Sequence, residues 1–459
     1  MNKKERILIT LSLAILGGYL FYRQGSGVNK LIFTVMSAVI IIYSNWGKRI
    51  RTLSFAILPA FLSSVFIVWY PQLLTRIIWL LSILVMWSSM VSARYPIVTF
   101  LQGVTSVFES PFSIFKKNEL DKMPKESAGN RKWIIYVVAA TIVFIFIALY
   151  INSNPVFSAL YSQIDLSFIK FGFILTVVGL FLLLYGLVKV DISKNVQKLN
   201  SIDSYVIKTE LSKRDEQEFL IAKLSIWIIG AILFVANIGD LIIIFTGKLP
   251  EGMTYSEYVH QGFYTLLFTL SLAIGLVIYF FRGQLNFHKK LKFISSASLF
   301  WISQNLLLAL ITAYKNLLYV QVYGLTYKRI AVFLGLLCIL IGLVLSIKKL
   351  QKPFTNWFYF NKLSVYAFVC FLLISFIPMD RIITKYNLTY SKTIDIDYLL
   401  SLSKPNLELV YDLVKENEDQ YSRYLPIVER KISDLNVQAK ECTWQSWNFY
   451  IDRYKRIPK

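Results

Sequence analysis

Asp240 is the residue whose placement asks for a chemical role. It stands in the run ILFVANIGDLIIIF, with Asn237 one turn earlier on the same helical face. A carboxylate within an apolar helix is costly to bury, so it faces a wet cavity or a partner. One reading is an ion or substrate site. The other is an acid near the lipid head groups, paired with Lys315, Arg329 or a tyrosine. The second is favoured because the apolar run ends soon after Asp240, at Phe245. Two polar segments follow. In LPEGMTYSEYVHQGF (249–263), Pro250 and Gly252 make a turn, and Thr254 caps a helix starting at Tyr255, with Glu257 completing a capping box. In AYKNLLYVQVYGLTYKRI (313–330), Tyr314, Lys315, Tyr319, Tyr323, Thr326 and Arg329 are presented, and Gly324 permits a sharp turn. Together Asp240, Asn237, Glu251, Tyr255, Glu257, Tyr258, His260, Lys315, Tyr323 and Arg329 form a candidate polar network. Its charges suit a clasp between loops better than a reaction centre. Gln304 and Asn305 suit hydrogen bonds between helices, and Arg76 is expected to extend to the membrane surface.

Nothing else in the chain suggests catalysis. His260 and His288 fall on opposite sides of the expected membrane, so neither completes a Ser/His/Asp arrangement or a buried acyl-transfer site. No P-loop is present. Multi-span glycosyltransferases need a carboxylate in the first external loop, and here that loop, RQGSGVNK, has none. Cys338, Cys370 and Cys442 have no spacing that implies a disulfide or a metal site. No cofactor and no metal are expected.

The elements that position these residues are apolar blocks. The chain is 56% hydrophobic and 17% charged, and its apolar residues come in runs, not in faces. About 20 such residues span a bilayer as a helix, the conformation that satisfies its own backbone there. The fold class is therefore all-α, a polytopic membrane bundle of about 11 transmembrane helices. The candidate spans are 7–22, 31–46, 52–70, 73–92, 133–151, 167–188, 220–246, 259–281, 292–313, 330–347 and 361–378. The segments 95–115 and 154–165 are amphipathic and too broken to cross, so they are expected to lie on the surface. The first apolar run leads into the second without a cleavage site, so no signal peptide is expected.

Charge gives the orientation. With the N-terminus cytoplasmic, the inside segments carry 28 Lys and Arg and the outside loops before residue 379 carry six. Residues 379–459 then lie outside the cell membrane, with 13 basic and 12 acidic residues. The net charge of +22 thus belongs mostly to the cytoplasmic rim. That rim favours anionic lipid head groups, and scattered basic residues argue against nucleic acid. The organisation reads as 1–94, four N-terminal helices; 95–132, a cytoplasmic and interfacial loop; 133–378, a seven-helix core; and 379–459, a small helical extracytoplasmic tail. In the tail Ser403 is expected to cap a helix with Pro405 in its first turn and Leu407, Val410, Leu413 and Val414 on one face. A second helix is expected over 420–436. Trp444, Trp447, Phe449, Tyr450 and Tyr454 either close a small core or rest at the lipid interface, and the core is favoured.

The two polar segments, with NPVF at 154–157 and IDYLLSLSKPNLELVYDL at 396–413, resemble a family of bacterial polytopic membrane proteins known only as a domain of unknown function. The likeness covers residues 130–415. Asn154 stands where the family more often has an acid, and Lys315-Asn316 where it more often has Arg-Met. The resemblance implies a fold and a location in the bacterial cytoplasmic membrane, and no reaction. The balance favours a non-enzymatic membrane, envelope or sensing component, with a membrane or extracytoplasmic protein as a possible partner. The alternative is a transporter with Asp240 in its ion or substrate site, although paired helix breaks of the transporter kind are missing. A membrane-embedded transferase ranks third.

Overall fold

In a computed structural model of the chain, the described residues are 3–44, 50–89, 96–113, 171–189, 213–247, 252, 263–281, 291–352, 354–391, 394–402 and 406–455. The fold is all-helical, with no strand among the described residues. The helices are α1 (Lys3–Phe21), α2 (Val28–Ser44), α3 (Ile50–Trp69), α4 (Leu73–Ser88), α5 (Pro96–Ser113), α6 (Phe171–Lys189), α7 (Lys213–Thr246), α8 (Phe263–Phe280), α9 (Leu291–Tyr323), α10 (Tyr327–Gln351) and α11 (Asn356–Ser375). A C-terminal group follows: α12 (Met379–Tyr390), α13 (Ile396–Ser401), α14 (Leu407–Glu416), α15 (Leu425–Lys440) and α16 (Phe449–Lys455).

Among the described residues, four helical stretches are long and apolar enough to cross a membrane: Leu220–Thr246, Ser296–Tyr323, Tyr327–Gln351 and Asn356–Ser375. Seven shorter apolar helices accompany them, including Ile97–Phe108 within the segment expected to lie on the surface. The expected span 133–151 and the surface segment 154–165 lie outside the described residues.

The chain forms two compact units. The first comprises residues 1–23 and 105–191. In it α1 and α6 run antiparallel: a Cβ on Gly172 would touch the Tyr22 ring, one on Gly18 would overlap Val177, and Tyr22 meets Phe173 edge-on at 5.9 Å.

The second unit comprises residues 24–104 and 192–459. Its apolar core lies among α7, α8, α9 and α10, around Leu270, Val277, Trp301, Ile302, Leu336 and Leu343. Helices α7 and α9 have 34 and 33 residues. At 1.5 Å per residue each is about 50 Å long, well beyond a hydrocarbon core of about 30 Å. The sequence suggested a span ending near residue 313. Helix α9 instead continues to Tyr323, because Val320 keeps the buried face going and the first conformational break is Gly324, at φ +79°.

The C-terminal group builds its own small core from Ile383, Leu399, Leu407, Val410, Val414, Tyr424, Val428 and Leu435. The Ser403 cap and Pro405 lie outside the described residues; α14 runs from Leu407, with Asn406 at its N-cap position. The Asn406 side chain is buried and donates to Thr384 Oγ1 at 3.0 Å and to the Leu399 carbonyl at 2.6 Å. The expected second helix over 420–436 is helical throughout: a short turn over Glu418–Tyr421 and a 3-10 turn over Ser422–Tyr424 lead into α15, which has Pro426 in its first turn, where a missing N–H costs nothing. The aromatic end of the chain divides. Tyr450 and Ile451 pack on the small core, whereas Trp444 and Phe449 are exposed. The buried residues there are polar: Gln445, Ser446 and Asn448.

Candidate functional site

Two of the ten expected network residues meet as an ion pair. Lys315 Nζ lies 2.6 Å from Asp240 Oδ1, with side-chain exposures of 8% and 19%. Asp240 comes from the last turns of α7, and Lys315 from the part of α9 that runs beyond residue 313. Asn237, one turn below Asp240, donates from Nδ2 to the Gln304 carbonyl at 3.1 Å. Its Oδ1 and both polar ends of the Gln304 side chain are buried without a partner among the described residues. Asn305 bonds back to the Trp301 carbonyl of its own helix. Asp240, Asn237, Gln304 and Lys315 thus form a polar seam along the α7–α9 contact.

Arg329 does something else. It donates to the backbone carbonyls of Tyr323, at 2.8 Å, and Gly324, and its guanidinium lies 4.2 Å from the Tyr319 ring centre. Those carbonyls belong to the C-terminal end of α9, which has no helical N–H to offer them and attracts positive charge. The Tyr323 ring is a second, more distant neighbour of Arg329, at 6.0 Å. Arg76, expected to reach the membrane surface, is exposed and donates to the Pro71 carbonyl at 3.1 Å. Glu251, Tyr255, Glu257, Tyr258 and His260 lie outside the described residues.

A second polar region, missed by the sequence reading, lies where the C-terminal helices sit on the bundle. We call this the cap end. Tyr327 at the start of α10 donates its hydroxyl to Asp380 at 2.6 Å and its N–H to the Tyr398 hydroxyl oxygen at 2.9 Å. Burial raises the Tyr398 phenol above its ordinary pKa, which keeps that hydroxyl neutral. Asn387 brackets Leu325, accepting from its N–H at 2.5 Å and donating to its carbonyl at 2.9 Å. Gln72 donates to the carbonyls of Ser375 and Ile377, and Thr75 to Ser375. The loop RQGSGVNK is held by the far end of the chain. The Val28 N–H donates to the Trp447 carbonyl at 3.0 Å, the Asn29 N–H to Gln445 at 2.9 Å, and the Gly25 N–H to Ser446 Oγ at 2.8 Å. Gly27 lies so close to this turn that a Cβ would overlap the carbonyl oxygens of Ser446 and Trp447.

One signal for this region was present in the sequence. Asp380, Thr384 and Asn387 recur at helical spacing in a segment already expected to be helical, and they form its buried polar face. Chemically, the seam pairs charge within the bundle, and the cap end immobilises loops.

A family model described as a domain of unknown function, DUF4153, matches residues 8–413. No curated protein and no solved structure matches the chain.

Proposed function

The chain belongs to the DUF4153 family, and from that premise we propose a non-enzymatic component of the bacterial cytoplasmic membrane whose C-terminal helices form an extracytoplasmic recognition cap. The N-terminus is cytoplasmic, and eleven spans carry the chain to the other side. The observation that carries the reading is the fastening of residues 380–450 onto the loops at 24–29, 70–72 and 324–327, the middle one through the Tyr70–Tyr450 ring contact. The turns after the first, third, ninth and eleventh expected spans meet at one end of the second unit, as an odd span count requires. A cap so fixed offers a rigid surface outside the lipid, suited to binding a membrane or envelope partner.

Cys442 lies on that cap, whereas Cys338 and Cys370 lie within α10 and α11. With the latter two replaced by alanine, a membrane-impermeant maleimide should label Cys442 in intact cells. Labelling only after permeabilisation would put the cap in the cytosol and end the proposal.

A second reading is favoured by the polar seam. Among the described residues, Asn237 and Gln304, beside the Asp240–Lys315 pair, carry buried polar atoms without partners, a feature that a transported ion would satisfy. Flux into vesicles that is abolished by Asp240→Asn would select this reading.

A further inference from the structure

Between the cap and the bundle of the second unit lies a cavity of about 690 Å³. It falls in the size range of small-molecule sites, roughly 300–1,000 Å³. Its walls come from the Gly25–Ser26 loop, the start of α4 and the helices α13–α16. Much of the lining is aliphatic, including Leu402, Leu435 and Ile451, and three charged side chains face it: Arg76, Lys431 and Asp434.

The charged groups are incompletely used. Among the described residues, Arg76 makes a single hydrogen bond, to the Pro71 carbonyl, although a guanidinium carries five N–H donors. Lys431 donates to the Leu400 carbonyl at 2.7 Å, leaving ammonium donors unassigned. The Asp434 carboxylate has no cation within ion-pair distance among the described residues. Arg76 projects from the first turns of an apolar helix, so its charge lies where that helix leaves the hydrocarbon. A forked guanidinium beside a lysine, at that depth and next to aliphatic walls, matches a phosphate attached to an apolar body. With Asp434 opposing the two cations, the lining has a surplus of one positive charge, which fits a singly charged phosphodiester.

We propose that this cavity binds the phosphodiester head group of an amphiphile, with the phosphate on Arg76 and Lys431 and the first apolar carbons against Leu402, Leu435 and Ile451. The inference rests on the reading of the cap as a recognition element, but its test does not depend on which compartment the cap faces.

The full chain is purified in a non-ionic detergent. It is titrated separately with dihexanoyl phosphatidylglycerol, with dihexanoylglycerol, which lacks the phosphate, and with inorganic phosphate. Binding is read by native mass spectrometry and by the shift in Tm. The phosphatidylglycerol should bind and raise Tm, and the headless lipid should not. Arg76→Gln and Lys431→Gln should each weaken binding about tenfold, the worth of one charge-assisted hydrogen bond. Arg76 is exposed, so its variant should retain the ligand-free Tm. Equal binding of the headless lipid, or binding unchanged in both variants, would overturn the proposal. Inorganic phosphate binding as tightly as the lipid would overturn the amphiphile and leave an anion site.

Discussion

The buried serine and threonine hydroxyls of the bundle and the side chains that fasten the cap end find their partners in different places. Within the bundle, hydroxyls turn back on their own helix: Ser82 to Ile78, Thr312 to Leu308, and Ser346 to Gly342, each four residues away. At the cap end the partners are remote in sequence: Gln72 with Ser375, Asn387 with Leu325, and Ser446 with Gly25. The difference follows from solvent. A helix crossing lipid has no water to accept its hydroxyls, and its own carbonyls are always within reach. Such bonds are compatible with many helix arrangements and specify none of them. Loops that leave a helix carry backbone groups with no local partner, so long-range bonds there fix which segments meet. The apolar bundle therefore supplies most of the buried area, and the cap end supplies the register.

If that division holds, the largest effect should come from the smallest residue at the cap end. Gly27→Ala must displace the Gln445–Asn448 turn, because its methyl group would overlap two backbone carbonyls. It should cost about 3 kcal/mol, the upper part of the overpacking range, and free the C-terminal helices. Limited proteolysis should then release fragments cut near residue 442 while the bundle stays intact. An unchanged digestion pattern would mean that the turn is not a latch.

Gly324→Ala should be next. It sits at φ +79°, which costs an L-residue about 1–2 kcal/mol, and the methyl would also press on the Asn387 amide that brackets Leu325. Thermal unfolding in detergent should show a lower Tm than for Asn387→Ala, which loses the same bracket but keeps the turn.

The ion pair tests the bundle side. Asp240→Asn removes the carboxylate from an ammonium that is 8% exposed, and should cost about 1–2 kcal/mol after allowance for the exposed side of Asp240. The double variant Asp240→Leu with Lys315→Met should recover most of that loss, since apolar side chains replace both charges together. A double variant as unstable as the single one would mean that the pair specifies the α7–α9 contact, in the manner of the cap end.

How much of this was legible depends on the same distinction. Helices announced themselves as apolar blocks, because crossing lipid leaves a composition signal in every residue. The Leu407, Val410 and Val414 face of α14 was readable from helical spacing and is buried. Asp240 was visible because a carboxylate stands out among isoleucines, and Lys315 was named among its potential partners. The latch was not legible. Gln445, Ser446 and Asn448 look like an exposed polar stretch between aromatics, and only their contact with residues 24–29 makes them interior. The sequence reading buried the aromatics instead, because hydrophobicity is a local property and the partner loop is some 420 residues away. The family likeness, expected over 130–415, extends through residues 8–413 and so takes in the Gly25–Asn29 loop, although not the turn that holds it.

The smallest effect should come from Gln304, and it is the one that separates the two functional readings. Its side chain is buried in α9 with neither the amide nitrogen nor its oxygen bonded among the described residues. A structural amide left unsatisfied in an apolar contact is a net cost, so Gln304→Leu should be neutral or stabilising by up to about 1 kcal/mol. Asn237 should be unaffected, because it donates to the Gln304 backbone carbonyl, which the substitution leaves in place. A Tm that rises while the protein keeps its cellular role would make the seam ordinary helix packing with one imperfect bond. A Tm that rises while ion or solute flux into vesicles disappears would give the unsatisfied amide a purpose: it is kept, against stability, for a passing ligand.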